Sequence, residues 1–377
     1  MTRIPERFKT DIERVDPLGT DNAEAVDAFQ RAHFPSNSRQ VTPANRTWLF
    51  GQNPHAGEAG PAFWICRRDG RIVGQQSEVP AELKVGDAQR TASWAIDLMV
   101  DPAWRLRGVG PALVDTVLAH RPIVGVLYAS EHGLPAFLKA GCVDLGPMPV
   151  YRRPLDPKRA LQMPRVPAAL RRLAPVLAAA LRLADAVAAG ATRLAGARLV
   201  PVDAFDERSD QVWEATAPAY PVLARRDLAA LRWKIDQRPD RGQLSCYYLE
   251  RRGRPIGYVV VRPTLSSGVR TAVVVDYLAP PRWVATLLLA AGRAAAADGA
   301  AAMSVRTRNR WADRSLRWAG FLRRSAEGEY PIHHLMHCAD GDEAVAAQVL
   351  DADSWFLTAG DGDLESGMPH ERLKGWS

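Results

Sequence analysis

The stretch SWAIDLMVDPAWRLRGVGPALVDTVLAH, Ser93 to His120, runs from an apolar strand-like segment through a turn crowded with arginine and glycine into a helical segment. Such a corner has a physical reading. A strand ending beside a helix start leaves several backbone N–H groups without partners. The helix dipole adds partial positive charge at the same place, so an anion fits there. Gly108 and Gly110 remove side chains that would keep a phosphate from the backbone. Arg105 and Arg107 offer positive charge to the same anion. Pro111 falls in the first helical turn, where its missing N–H does no harm. Alone, R-x-x-G-x-G is a weak pattern that any tight strand–helix turn could produce; the strand ahead of it makes it sharper.

Outward from this corner the chain repeats itself. FWICRRDGRIVG (63–74) reads as a hairpin turning at Asp69-Gly70, and CYYLERRGRPIG (246–257) has the same design. WAIDLMVDPAW follows the first and VVVDYLAPPRW the second, each leading into a helix-forming run. Gly74 and Gly257 lie 183 residues apart, while Asp97 and Asp276, and Gly141 and Gly320, lie 179 apart. Three landmarks in register argue for two copies of one domain. Each copy reads as strand, helices, three antiparallel strands, helix, strand, helix, strand, an α/β (α+β) layer fold with a mixed, mostly antiparallel sheet. The expected domains are 1–156, a basic connector 157–198, 199–340, and an acidic tail 341–377.

Arg105-Leu106-Arg107-Gly108-Val109-Gly110, with DLMVDP ahead and ASEHGLPAFLKAGC behind, resembles the acetyl-coenzyme A site of the GCN5-related N-acetyltransferases. The resemblance covers residues 10–155 well and the second copy more loosely. It implies two tandem domains of that fold, acetyl-CoA as co-substrate and N-acyl transfer as the activity. The backbone of Leu98 and Val100 would bind the pantetheine arm; Arg105, Arg107, Gly108, Val109 and Gly110 would take the pyrophosphate. Ser130 stands where the family often has an asparagine, and Phe137 where it often has a tyrosine that protonates the leaving thiolate. In the second copy the matching stretch is APPRWVATLLL; it has no glycine pair, and Pro280 and Pro281 remove two donors. Only the first copy is expected to carry cofactor.

Acyl transfer to an amine needs the ammonium proton removed. Asp97, three residues before Val100, is the best-placed carboxylate. Because Asp276 recurs at the matching place in the copy without the glycine corner, a structural role for Asp97 stays open. A backbone N–H on the same strand could stabilise the oxyanion. Tyr128, Ser130, His132 and Tyr151 are substitutes for the missing tyrosine, left unranked.

The remaining features bound the function. The chain has 377 residues, too many for one ordinary core. Its four cysteines lie far apart without metal-ligand spacing, which suits a reducing, cytoplasmic setting. The formal charge of +7 is matched by residues 157–200 alone, where eight basic residues face only Asp185. The apolar run LAPVLAAALRLADAVAAGA is broken by Arg182 and Asp185, so no membrane span is expected. A weak contact of residues 168–189 with an anionic membrane surface and a plain packed connector both stay open. HHLMHC (333–338) offers zinc-type ligands, but a strand would split them between two faces, so no metal is expected. The tail WFLTAGDGDLESG carries Asp361, Asp363 and Glu365, too short a set for a calcium loop and read as an acidic turn anchored by Trp355 and Phe356.

The leading function is an acetyl-CoA-dependent N-acyltransferase acting on a small-molecule amine, with an amino sugar or surface-polysaccharide precursor as one candidate and nucleic acid not expected. The alternatives are an acetyl-CoA-binding regulatory protein, which Phe137 favours, and an aminoacyl-tRNA-dependent transferase of the peptidoglycan-bridge type. In that last case the basic connector would touch phosphates.

Overall fold

The computed structural model describes residues 11–33, 42–57, 62–127, 129–156, 194–266, 268–324 and 332–362, with isolated positions of the connector between 159 and 192. In the first half, β1 (Ile12–Val15) is followed by α1 (Thr20–His33), α2 (Pro43–Arg46) and a π-type turn at Thr47–Gly51. Then come β2 (Ala62–Arg68), β3 (Arg71–Val85), β4 (Ala88–Val100), α3 (Val109–His120), β5 (Ile123–Val126), α4 (Leu134–Lys139), β6 (Val143–Pro147) and β7 (Val150–Pro154). Strands β1 to β4 form an antiparallel meander, and β5 joins β4 in parallel.

Alternation along the strands divides the core. Ala95 packs with Val114 and Val117 of α3, whereas Ile96 and Val79 pack with Val26 of α1 and Phe50. The two helices therefore cover opposite faces of the sheet. Gly74 allows α3 to close down, because a Cβ there would stand 2.8 Å from Val109 Cγ1 and 3.0 Å from Leu113 Cδ1.

The second half repeats the order: β8 (Ala197–Val202), α5 (Arg208–Thr216), β9 (Val222–Ala224), α6 (Leu228–Leu231), a π-type turn at Arg232–Asp236, then β10 (Ser245–Arg251), β11 (Arg254–Ser266) and β12 (Val269–Leu278). After them come α7 (Pro281–Ala297), β13 (Ala302–Arg308), α8 (Ala312–Trp318), β14 (Leu322–Arg324) and β15 (His333–Cys338). The duplication extends to backbone detail. Both hairpins turn through two residues at positive φ, Asp69-Gly70 at 49° and 73° and Arg252-Gly253 at 49° and 79°, the twist that suits a tight hairpin. The parallel joins also match: Ser93 faces Val124 and Trp94 faces Gly125, while Ala272 faces Met303 and Val273 faces Ser304. Each β4-type strand carries a bulge just beyond its join, opposite Gln76 in one copy and next to Val260 in the other.

The halves are not self-contained. Strand β7 leaves the first half and pairs with β13 and β14, while β15 leaves the second and pairs with β5 and β6. The copies thus exchange their last strands. Two copies offer two equivalent slots, and a strand fits either by its alternation alone. The exchanged strands are deeply held, with Tyr151, Leu335 and Met336 almost wholly buried.

The far end of β3 also pairs with β9, joining the halves' sheets. Finally α9 (Glu343–Val349) leads to β16 (Trp355–Thr358), which runs between β9 and β13. Most of the connector, including most of residues 168–189, lies outside the described residues. Among the described residues no helix is long and apolar enough to cross a membrane.

Candidate active site

The corner that opened the sequence is built as a strand–turn–helix. Asp101 caps the turn after β4, its carboxylate accepting from Ala103 N–H at 2.8 Å. Leu106 at φ 60° and Gly108 at φ 95° bend the chain into α3. Leu106 is fully exposed and Arg105 and Arg107 are exposed, so none of the three plugs the corner. Arg105 Nε donates to Val100 O at 3.3 Å, and the Arg107 guanidinium lies 5.4 Å from the centre of the Trp104 ring. The N–H of Ala112 returns to Gly108 O, so the amides of Val109 and Gly110 precede the helical ladder. Val109 is buried beneath them, and a Cβ on Gly110 would meet only Val100 within 4 Å.

Beside the corner, β4 and β5 part. They pair only through Ser93–Trp94 and Val124–Gly125, while β4 continues along β3 to Val100. The edge of β4 that faces β5 is left without a strand partner beyond Trp94 among the described residues. Leu98 and Val100 sit on this divergent segment and pack toward α3. Asp97 occupies the bulge at φ 56°, a left-handed conformation that only aspartate and asparagine among side-chain-bearing residues adopt readily. Gln76 Nε2 at 2.7 Å and Ser77 Oγ at 3.3 Å both donate to Ile96 O and pin the bulge. Ser130 Oγ accepts from Gly133 N–H at 3.1 Å, fixing the turn into α4. Phe137 is core, packed with Val117 and Leu118 of α3. Tyr128 lies outside the described residues. Tyr151 donates to Asp313 in the second half, and burial pushes its phenol well above the usual range.

A cleft open to solvent lies between the halves, with Trp94 and Ile96 of β4 in one wall. Trp48 and Trp233, from equivalent π-type turns, form another wall. Their rings stack with centroids 5.9 Å apart, and each indole N–H donates to the other's carbonyl, at 2.7 and 2.9 Å. His55 lies edge-on to Trp233, with its imidazole kept neutral by burial against the opposing pull of Glu82 and Asp227. The lining charges are paired: Arg225 with Glu82 and Asp227, and Lys234 with Asp361 at 3.0 Å.

In the second copy the residue equivalent to Asp97, Asp276, is tied into the core. Strands β12 and β13 part after Val274 and Val305, but this gap is filled by the chain's own tail. Thr358 and Leu357 of β16 pair with Thr307 and Arg308, and Gly360 N–H donates to Val275 O at 2.7 Å. Phe356 fills the space among Tyr220 and Tyr277 beneath Arg226. Asp276 is fully buried, accepting from Arg226 at 3.2 Å and from Thr358 at 2.8 Å. Its role is structural. Asp361 joins the same cluster through Arg226 and Lys234. Burial would raise its carboxyl, but those cations outweigh burial and hold it down to about 2.

Trp355 and Phe356 do anchor the tail, though as a strand. Asp363 and Glu365 lie outside the described residues. In β15, His333 pairs with Asp144 at 2.8 Å, and His334 is fully buried against the Trp355 ring, with no hydrogen-bond partner on either nitrogen among the described residues. Among the described residues no three potential ligands converge on a metal site.

Sequence reasoning missed Trp48, Trp233 and His55. The two tryptophans lie 185 residues apart, close to the offset of the hairpins, so the repeat could have exposed them. Nothing marks His55 in the sequence.

With this geometry in view, comparison with known proteins becomes informative. No protein-family model matches the chain, and no curated protein matches it in sequence. Solved structures match in fold. A GCN5-related N-acetyltransferase from Anabaena variabilis superposes at a TM-score of 0.55 with 12% identity, over 93% of this chain and 86% of that one. Eis1 from Mycobacterium abscessus gives 0.53 and 16%, over 90% and 76%. Saccharomyces cerevisiae N-myristoyltransferase, solved with myristoyl-CoA bound, gives 0.50 and 11%, over 87% and 78%. The chain has the fold of the GCN5-related N-acetyltransferases, in tandem form.

Proposed function

We propose that this chain is an acyl-CoA-dependent N-acyltransferase, using acetyl-CoA, with its cofactor on the first half alone and a small-molecule amine in the cleft between the halves. One observation carries the reading. The open helix start at Gly108–Gly110 lies beside the unpaired edge of β4, so a diphosphate and an extended arm could be bound in one continuous path. Residues Arg105, Arg107, Gly108, Val109 and Gly110 would hold the diphosphate, and the backbone of Leu98 and Val100 the arm. Ser130, which fixes the turn into α4, would complete the cofactor-binding set. Asp97 would take the ammonium proton, the amine nitrogen would attack the thioester carbon, and the C–S bond would break, the further proton released by the nitrogen passing through water to the departing thiolate.

The tail-filled gap of the second copy supports a single cofactor per chain. Trp48, Trp94 and Trp233 give the cleft an aromatic lining suited to the body of an amine, including the flat face of an amino sugar. Phe137, buried where a proton donor would help, favours the second reading, a protein that binds acyl-CoA without turnover.

Calorimetric titration with acetyl-CoA tests the site. One molecule should bind per chain, and Arg107→Glu or Gly108→Trp should weaken it at least tenfold; unchanged affinity in both would remove the assignment. Thiol release with an amine panel then separates enzyme from sensor.

A further inference from the structure

We propose that the face formed by α8 and β14 docks on an anionic lipid surface. Helix α8 is two-sided. Ala312, Ser315 and Leu316 are buried inward, while Arg314, Arg317 and Trp318 face solvent. Trp318 is 78% exposed, and four residues on, across the turn at Gly320, Leu322 of β14 is 70% exposed. Arg310 and Arg324 are exposed beside them. Arg314, Arg317 and Arg324 make no ion pair among the described residues. Among the described residues the carboxylate nearby is Asp313, and it is already engaged by Tyr151 and Arg323. Among those residues the face therefore joins positive charge without an ion-pair partner, at Arg314, Arg317 and Arg324, to two large apolar side chains that the fold does not use.

That combination selects the partner. An indole and a leucine gain by entering the boundary between headgroups and acyl chains, while arginines reach phosphates from the same plane. Nucleic acid would use the arginines but offers an aliphatic leucine nothing to bury against. A second copy of this face would set arginines against arginines, which opposes self-association. The face lies outside the cleft and the glycine corner, so it is independent of the catalytic reading.

Co-sedimentation of the full chain with vesicles tests it. The chain should bind phosphatidylcholine vesicles carrying phosphatidylglycerol, fail to bind phosphatidylcholine alone, and release as salt rises. Arg314→Ala with Arg317→Ala should lower binding roughly 25-fold, at about fivefold per charge. Trp318→Ala with Leu322→Ser should lower it roughly tenfold or more. All four side chains are exposed, so the melting temperature should not move. The proposal is overturned if anionic vesicles do not bind. It is overturned equally if both variants bind as wild type, which would hand the attraction to the basic connector. Tighter binding to duplex DNA than to vesicles, or a changed oligomeric state in Trp318→Ala, would also overturn it.

Discussion

Trp48 and Trp233 donate their indole N–H groups to each other's backbone carbonyls, one from each half, on equivalent π-type turns. The contact is self-complementary, as at the two-fold interface of a dimer. It also forms a wall of the cleft, so holding the halves together and shaping the site are one act.

Trp48→Phe removes one N–H and leaves the Trp233 carbonyl without its donor. Urea denaturation should show a loss of about 1–3 kcal/mol. In a double-mutant cycle with Trp233→Phe the two losses should not add, since each change disturbs the same pair. Additive losses would mean the two bonds act independently.

Asp97 combines a left-handed backbone with a position beside the unpaired edge. Asn tolerates the same φ, so Asp97→Asn should leave the melting temperature nearly unchanged. Turnover of an accepted amine should fall about 10²-fold or more, with loss of the acid limb of the pH profile. Unaltered turnover at every pH would confine Asp97 to shaping the bulge.

Burial, reinforced by Arg308, holds the His334 imidazole neutral well below its ordinary range. The unfolded chain binds a proton there below about pH 6.5 while the folded chain does not. Stability is therefore full above that pH and falls as pH drops, by up to about 1.4 kcal/mol per unit. Burial lowers His55 and His337 too, so the test is the difference made by His334→Phe. This variant keeps the ring contact with Trp355 and should flatten the slope between pH 6.5 and 5. An identical slope would exclude His334.

Asp361 bridges Arg226 and Lys234 in a buried cluster whose second carboxylate is Asp276. Asp361→Asn should cost about 3–5 kcal/mol, because Arg226 and Lys234 lose a counter-charge without gaining water. With its carboxyl held down to about 2, the wild-type contribution is present above the ordinary carboxylate range and is lost as pH falls toward 2. Thermal melts of both proteins should stay apart from pH 7 to about 4 and draw together as pH falls from there toward 2.

Local chemistry made much of the fold legible. Asp69-Gly70 announces its turn, Gly108 its left-handed cap, and the 179-residue spacing of Asp97 and Asp276 announces the duplication. The strand exchange was hidden, because nothing in VYRRP or HHLMHC names the half whose sheet receives it. The cleft was hidden for another reason. His55, Glu82 and Lys234 meet only through the closing of two halves, and no spacing along the chain encodes that meeting. Acid in the tail was visible, but its burial depends on Arg226 and Lys234, more than a hundred residues earlier.

The trading of β7 for β15 also governs how the molecule can be made. A ribosome that has finished residue 147 has supplied β1 to β6, yet the piece that lies between β5 and β6 ends at Cys338. The early sheet must wait, incomplete at one margin, until nearly the whole polypeptide has emerged. Neither half is then an autonomous folding unit, and a gene cut in the connector would yield two fragments, each lacking the strand the other carries.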